Sequence, residues 1–140
     1  MVVPACSGGC ASLLALADDR ADTNEPWIHS YGEHPRGYVI YDSTGHVSIQ
    51  FCADPPTPPS LSRDDFAPTA SEALHAYENF VAYFGTYTVD DSKKIVIHHV
   101  EGSLLPSYTN TDQTRPFTLS GDRLERGDGQ TWRRAFERVR

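Results

Sequence analysis

The chain has 140 residues, enough for a single domain over 1–140 with one core, and 39% of them are hydrophobic, 11% aromatic and 22% charged. A net charge of −7 and a pI of about 5.2 argue against a nucleic-acid or anionic-membrane surface, which needs clustered basic charge. No apolar run approaches the roughly 18 residues that a membrane-spanning helix requires.

Three cysteines, Cys6, Cys10 and Cys52, are an odd number without zinc-site spacing, so free thiols in a reducing cytosol are expected and no metal. The small, apolar N-terminus lacks a basic segment and is broken by Pro4, Gly8 and Gly9, which reads as a first strand over 12–16 rather than a secretory signal. A polar turn region over 18–26 and a short strand at Trp27-Ile28-His29 follow. Runs over 37–41 and 46–52, joined by Asp42-Ser43-Thr44-Gly45, predict a β-hairpin. On its second strand Val47, Ile49 and Phe51 form the apolar, inward face, and His46 is a solvated neighbour of the turn.

Five of the ten prolines fall within 54–68, which is therefore a long loop, either a flap over a ligand mouth or a rigid surface linker. Thr69 and Glu72 have capping-box spacing, and Ala73, Leu74, Tyr77, Val81 and Phe84 recur at helical intervals. Together they predict one amphipathic helix over 70–83, packed on the sheet or across a barrel end.

The clearest pattern is a second hairpin, over 84–89 and 95–105, turned by Asp90-Asp91-Ser92-Lys93. The period of two puts Val96, His98, Val100, Gly102 and Leu104 on one face, and Ile95, Ile97, His99, Glu101 and Ser103 on the other. A loop over 106–110, a strand over 113–119, a short strand over 123–125 and a last strand from Thr131 complete the chain. About eight antiparallel strands and one short helix make an all-β domain, and closure into a small barrel is favoured over a β-sandwich. The C-terminal arginines Arg123, Arg126, Arg133, Arg134, Arg138 and Arg140 read as a solvated edge strand or as partners for carboxylates, against a small chance of an anion site.

The segments GEHPRGYVIYDSTGHVSIQF, AYFGTYTVD, IVIHHVEGSLLPS, TDQTRPF, GDRL and TWRR together resemble the lipocalin-like domain family of bacteria and fungi, over nearly the whole chain from about Gly9 to Arg134. The resemblance implies a calycin-type barrel around a small, largely apolar molecule. Members are often encoded among secondary-metabolite genes, and related barrels catalyse cyclisation, isomerisation or dehydration. Members commonly start on a Gly-Thr-Trp segment whose Trp closes the barrel bottom, and Gly9-Cys10-Ala11 departs from it.

Burial of Val96, Val100 and Leu104 carries His98 inward, where a neutral imidazole is either a general base or hydrogen-bond donor, or a core histidine satisfied by a tyrosine or a backbone carbonyl. His99 and Glu101 form an acid/base couple if their own face is inward, a choice that a bulge at Gly102 would alter locally. Tyr87 shares a face with Tyr83 and is a candidate proton donor, while Tyr38, Tyr83 and Trp132 are candidate wall residues. Arg36 and Arg115 are candidate substrate-binding residues, Arg36 as a clamp for a carboxylate or enolate, and the alternative is a structural ion-pair set with Asp112 at the rim. No phosphate-cradling loop, nucleophile motif or metal-spaced cluster is present, and no cofactor is expected.

Two functions from different classes fit this pattern. One is a cofactor-independent cyclase, isomerase or dehydratase that uses His98, Glu101, Tyr87 and His99 on a polyketide- or terpenoid-like substrate. The other is a binding or carrier protein for a small hydrophobic ligand. The density of His, Glu and Tyr on the second hairpin tips the reading toward the enzyme. A small hydrophobic ligand is the expected partner, with no nucleic acid and no membrane, and an exposed barrel seam leaves room for a homodimer.

Overall fold

The computed structural model describes residues 10–140, with Cys10 and Ala11 described by their backbone alone. The departure at Gly9-Cys10-Ala11 and the thiols of Cys6 and Cys10 lie outside the described side chains. Cys52 carries a free thiol.

The described residues form nine strands: β1 (Cys10–Asp19), β2 (Ile28–His29), β3 (Arg36–Tyr41), β4 (His46–Cys52), β5 (Phe80–Asp90), β6 (Ile95–Ser103), β7 (Thr111–Ser120), β8 (Arg123–Gly127) and β9 (Trp132–Arg138). From β3 onward each strand pairs with the next, and β1 pairs with both β3 and β9. That pairing closes an eight-stranded antiparallel barrel, with β2 a two-residue annex on Asp18 and Asp19. β9 is thus a fully paired strand rather than the edge expected from its arginines. Closure leaves no barrel strand with an unpaired edge.

Alternation sets the interior. Val39, Tyr41, Val47, Ile49, Phe51, Tyr83, Tyr87, Val96, Val100, Phe117, Leu124 and Phe136 are buried and pack as one cluster. The β3–β4 turn is held by the Asp42 carboxylate, which accepts from the Thr44 and His46 amides at 2.9 Å each, with Gly45 at a φ of +91°. Asn, Asp and Gly suit such turns because a short side chain bonds the backbone two residues on and glycine adopts positive φ freely.

The helix is shorter than its spacing predicts. It runs over Ala70–Glu78 (α1), behind the Thr69/Glu72 capping box, and buries none of its residues. Val81 and Phe84 belong instead to β5. In the extended chain Val81 and Tyr83 fall two apart on the inward face and pair with Phe51 and Ile49 of β4, a burial that a helix would divide between two faces. Leu74 and Tyr77 remain 56% and 41% exposed.

β6 carries a bulge. Gly85 of β5 pairs with Val100 and Phe84 with Gly102, so Glu101 is the extra residue. The facing therefore inverts beyond it: Gly102 turns outward against the Phe84 ring, Ser103 stands opposite Tyr83, and Leu104 is 37% exposed instead of continuing the inward row.

Candidate functional site

The barrel is filled at one end and open at the other. Tyr41, Val47, Tyr87, Val96 and Phe117 pack the closed end, where the Tyr87 hydroxyl donates to the Asp42 carbonyl at 2.9 Å and the Tyr41 and Tyr87 rings meet edge to face at 4.9 Å. The open end holds a cavity of about 570 Å³. Ile49, Phe51 and Val81 supply its aliphatic and aromatic wall from β4 and β5, and Tyr31, Tyr83, Tyr108 and Trp132 add four further rings. Asp19, Arg20, Arg115, Arg126 and Arg134 bring charge to the same space. The volume suits a small molecule of one or two rings.

The two ends meet at His98. Its side chain is fully buried, with Nε2 at 2.8 Å from the Tyr41 hydroxyl and Nδ1 at 2.8 Å from the Tyr83 hydroxyl. Burial, helped by the positive charges of Arg126 and Arg115 and by the neighbouring His99, pushes its pKa well below the ordinary 6.5. The imidazole is therefore neutral, and a neutral imidazole has one N–H to donate and one lone pair to accept with. One tyrosine donates to His98 and the other accepts from it, so the accepting tyrosine keeps its own O–H for another partner. Burial also pushes Tyr41 up to about 12, which keeps that phenol protonated. Tyr83 lines the cavity, whereas Tyr41 and His98 stand behind it.

The arginines differ in how they are satisfied. Arg134 donates to both carboxylate oxygens of Asp19 at 3.1 Å and to the Asp18 carbonyl at 2.9 Å. Arg115 lies 5.3 Å over the Trp132 ring and 5.7 Å over Tyr108, a cation–π arrangement at the cavity side. Arg126 is 2% exposed, stacks 4.8 Å over Phe136, and leaves Nε and Nη1 without a hydrogen-bond partner. Burial acts to lower its pKa, but the Tyr41 and Tyr83 oxygens beside it outweigh that and hold the guanidinium charged.

The model of the family described as "Lipocalin-like domain" matches residues 17–135. The chain belongs to the lipocalin-like domain family. It is similar to a protein of Aspergillus oryzae named as a 4'-hydroxy-3'-methoxypropiophenone carrier protein, at 35% identity over an alignment of 77 positions that covers 51% of this chain and 69% of the relative. No solved structure matches the chain.

In this lipocalin-like barrel the candidate residues separate by facing. His98, Tyr83 and Tyr87 point inward, and Tyr83, Arg115 and Trp132 line the cavity. Tyr87 spends its hydroxyl on the β3–β4 turn at the closed end. Arg36 and Tyr38 stand on the outer face of β3, with Tyr38 50% exposed, because the alternation that buries Val39 and Tyr41 turns them out. His99 and Glu101 likewise face out, so they do not meet His98 or the cavity. His99 is joined instead to Asp112 at 2.7 Å and to Thr88 at 3.1 Å across neighbouring strands. Asp112 pairs with His99 and not with Arg115 or Arg36, so the expected rim ion-pair set is not formed.

Among the cavity residues, Tyr31 and Tyr108 were not candidates in the sequence, and Arg126 entered only as one of the C-terminal arginines, with a small chance of an anion site. For Arg126 a signal existed. In β8 it stands two residues after Leu124, and alternation puts the two on one face. Of the C-terminal arginines, Arg123, Arg133, Arg134, Arg138 and Arg140 do find carboxylates: Glu137, Asp18, Asp19 and, for the last two, Asp122.

Proposed function

We propose that this lipocalin-like barrel is a binding or carrier protein for a small aromatic molecule held in the open half of the barrel. The observation that carries the reading is the cavity itself: about 570 Å³ walled by Tyr31, Phe51, Tyr83, Tyr108 and Trp132, with the one inward histidine sealed behind Tyr83. Aromatic walls with a few fixed polar groups bind planar ligands by contact and orient them by hydrogen bonds. The A. oryzae relative, named as a carrier of a phenolic aryl ketone, supports the same class of ligand.

The enzymatic reading keeps one supporting observation, the Tyr41–His98–Tyr83 line of hydrogen bonds that ends on the cavity wall. In it Tyr83 would protonate a ligand carbonyl and His98 would resupply the proton. Acid/base turnover needs two converging groups whose pKa values are set apart, and Glu101 and His99, the proposed partners, are on the outside. The carrier reading is therefore the stronger.

Titration of the protein with 4'-hydroxy-3'-methoxypropiophenone, followed by tryptophan fluorescence, tests the choice. Saturable quenching at one ligand per chain, with the ligand recovered at unchanged mass and structure after overnight incubation, is the expected result. Absence of saturable binding by this or any related aryl ketone would sink the carrier reading. Conversion to an isomer or a dehydrated product would restore the enzyme.

A further inference from the structure

Arg126 has no carboxylate. None of the arginine ion pairs among the described residues includes it, and residues 1–11 contain no Asp or Glu that could reach it. The guanidinium is 2% exposed, leaves Nε and Nη1 without a hydrogen-bond partner, and has no carboxylate to neutralise it among the described residues. It also borders the cavity, with the Tyr83 hydroxyl beside it on the same wall.

We propose that Arg126 is an oxyanion-binding residue and that the barrel's ligand is an aromatic molecule bound through an ionised oxygen, a carboxylate or an acidic phenol, which pairs with Arg126 at the inner end of the cavity. The proposal rests on the reading of the cavity as a ligand site. The guanidinium supplies charge and free donors, and in the Nδ1-protonated tautomer of His98 the Tyr83 O–H is free to donate to the same oxygen. Trp132 and Tyr108, with Arg115 stacked on both, then flank the ring of the ligand. Arg134 is a weaker anchor because Asp19 already neutralises it.

The test compares 8-anilinonaphthalene-1-sulfonate, an anionic aromatic, with N-phenyl-1-naphthylamine, its neutral counterpart, by energy transfer from tryptophan. The wild type should bind the anion more tightly. Arg126→Met should lose about thirtyfold in affinity for the anion, the range of a charge-assisted hydrogen-bonded contact, while the neutral probe is unchanged or improved. Arg126→Lys should retain a preference for the anion, and Arg126→Met should unfold at a higher temperature than the unliganded wild type, since it replaces a buried guanidinium that has no carboxylate partner by an apolar side chain.

Equal affinity of the wild type for both probes, or an anion preference that survives in Arg126→Met, overturns the oxyanion site and leaves the carrier reading standing. An Arg126→Met protein less stable than the wild type overturns the premise that the guanidinium lacks a full partner inside the barrel. Failure of both probes to bind the wild type overturns the cavity reading and this proposal with it.

Discussion

The hydroxyl of Tyr83 lies 2.8 Å from Nδ1 of His98 and also lines the cavity, so the histidine meets a ligand only through a tyrosine. This relationship separates a structural role for His98 from a catalytic one. His98→Leu removes the partner of two buried hydroxyls, Tyr41 and Tyr83, and each buried group left unpaired costs about 1–3 kcal/mol. A loss of about 2–4 kcal/mol, or roughly 6–12 °C in Tm, is expected in denaturant and thermal unfolding. Affinity for an aromatic ligand should stay within about threefold of the wild type, well under the tenfold that 1.4 kcal/mol represents. A larger loss of affinity at intact stability would assign His98 to the ligand.

The same burial predicts a pH dependence. In the unfolded chain His98 titrates near 6.5, whereas in the barrel burial, with Arg126, Arg115 and His99, holds it neutral to much lower pH. Above about pH 6.5 both states are neutral at this position and stability does not change through it. Below that, the unfolded chain takes up a proton that the folded chain refuses, so stability falls with falling pH by up to about 1.4 kcal/mol per unit. The difference between wild type and His98→Leu, followed by urea unfolding from pH 7 to 4.5, should show this slope. Equal slopes in the two proteins would mean that His98 charges inside the barrel.

The barrel was legible where one period governed. Val47, Ile49 and Phe51 on β4, and Val96, His98 and Val100 on β6, alternate without interruption, and their burial follows. The helix end was not, because 77, 81 and 84 fit a helical stripe while 81 and 83 fit a strand, and only pairing with Phe51 and Ile49 of β4 decides between them. Glu101 shows the other limit: the bulge depends on where Gly85 lets β5 approach β6, since a Cβ added there would run into the His99 carbonyl oxygen. Arg126 was hidden by charge. A guanidinium in an arginine-rich tail reads as solvated, and only closure of β8 against β9 over Phe136 shows that it is enclosed.

Barrel closure itself has an electrostatic clasp. Asp18, 1% exposed on β1, accepts from His29 Nδ1 of β2 at 2.7 Å and from Arg133 of β9 at 3.0 and 2.8 Å. Burial acts to raise the pKa of Asp18, but these donors outweigh it and lower the value. Its stabilisation is therefore present above the unfolded carboxylate value near 3.9 and is lost as pH falls below it, a window separate from that of His98. Asp18→Asn should cost about 2–3 kcal/mol at pH 7, less than the 3–5 of a wholly buried pair because Arg133 still reaches water. Unfolding at pH 7 measures the loss, and a cost under about 0.5 kcal/mol would class the clasp with ordinary surface pairs.

Trp132 tests the open end. It lines the cavity, lies between Arg115 at 5.3 Å and Arg134 at 5.9 Å, and is only partly buried. Its backbone is held independently by the Asp128 carboxylate, which accepts from the Thr131 and Trp132 amides at 2.7 and 3.1 Å. A shorter apolar side chain should therefore leave the start of β9 in place. Trp132→Leu should change stability by no more than about 1 kcal/mol but weaken an aromatic ligand by about tenfold, as loss of one aromatic contact and of the surface it covers implies. The other tryptophan, Trp27, is clasped by Arg20 at 4.2 Å and Arg133 at 4.3 Å, so Trp27→Phe should retain both the affinity and most of the ligand-induced quenching. Quenching that follows Trp27 instead would move the binding site away from the barrel mouth.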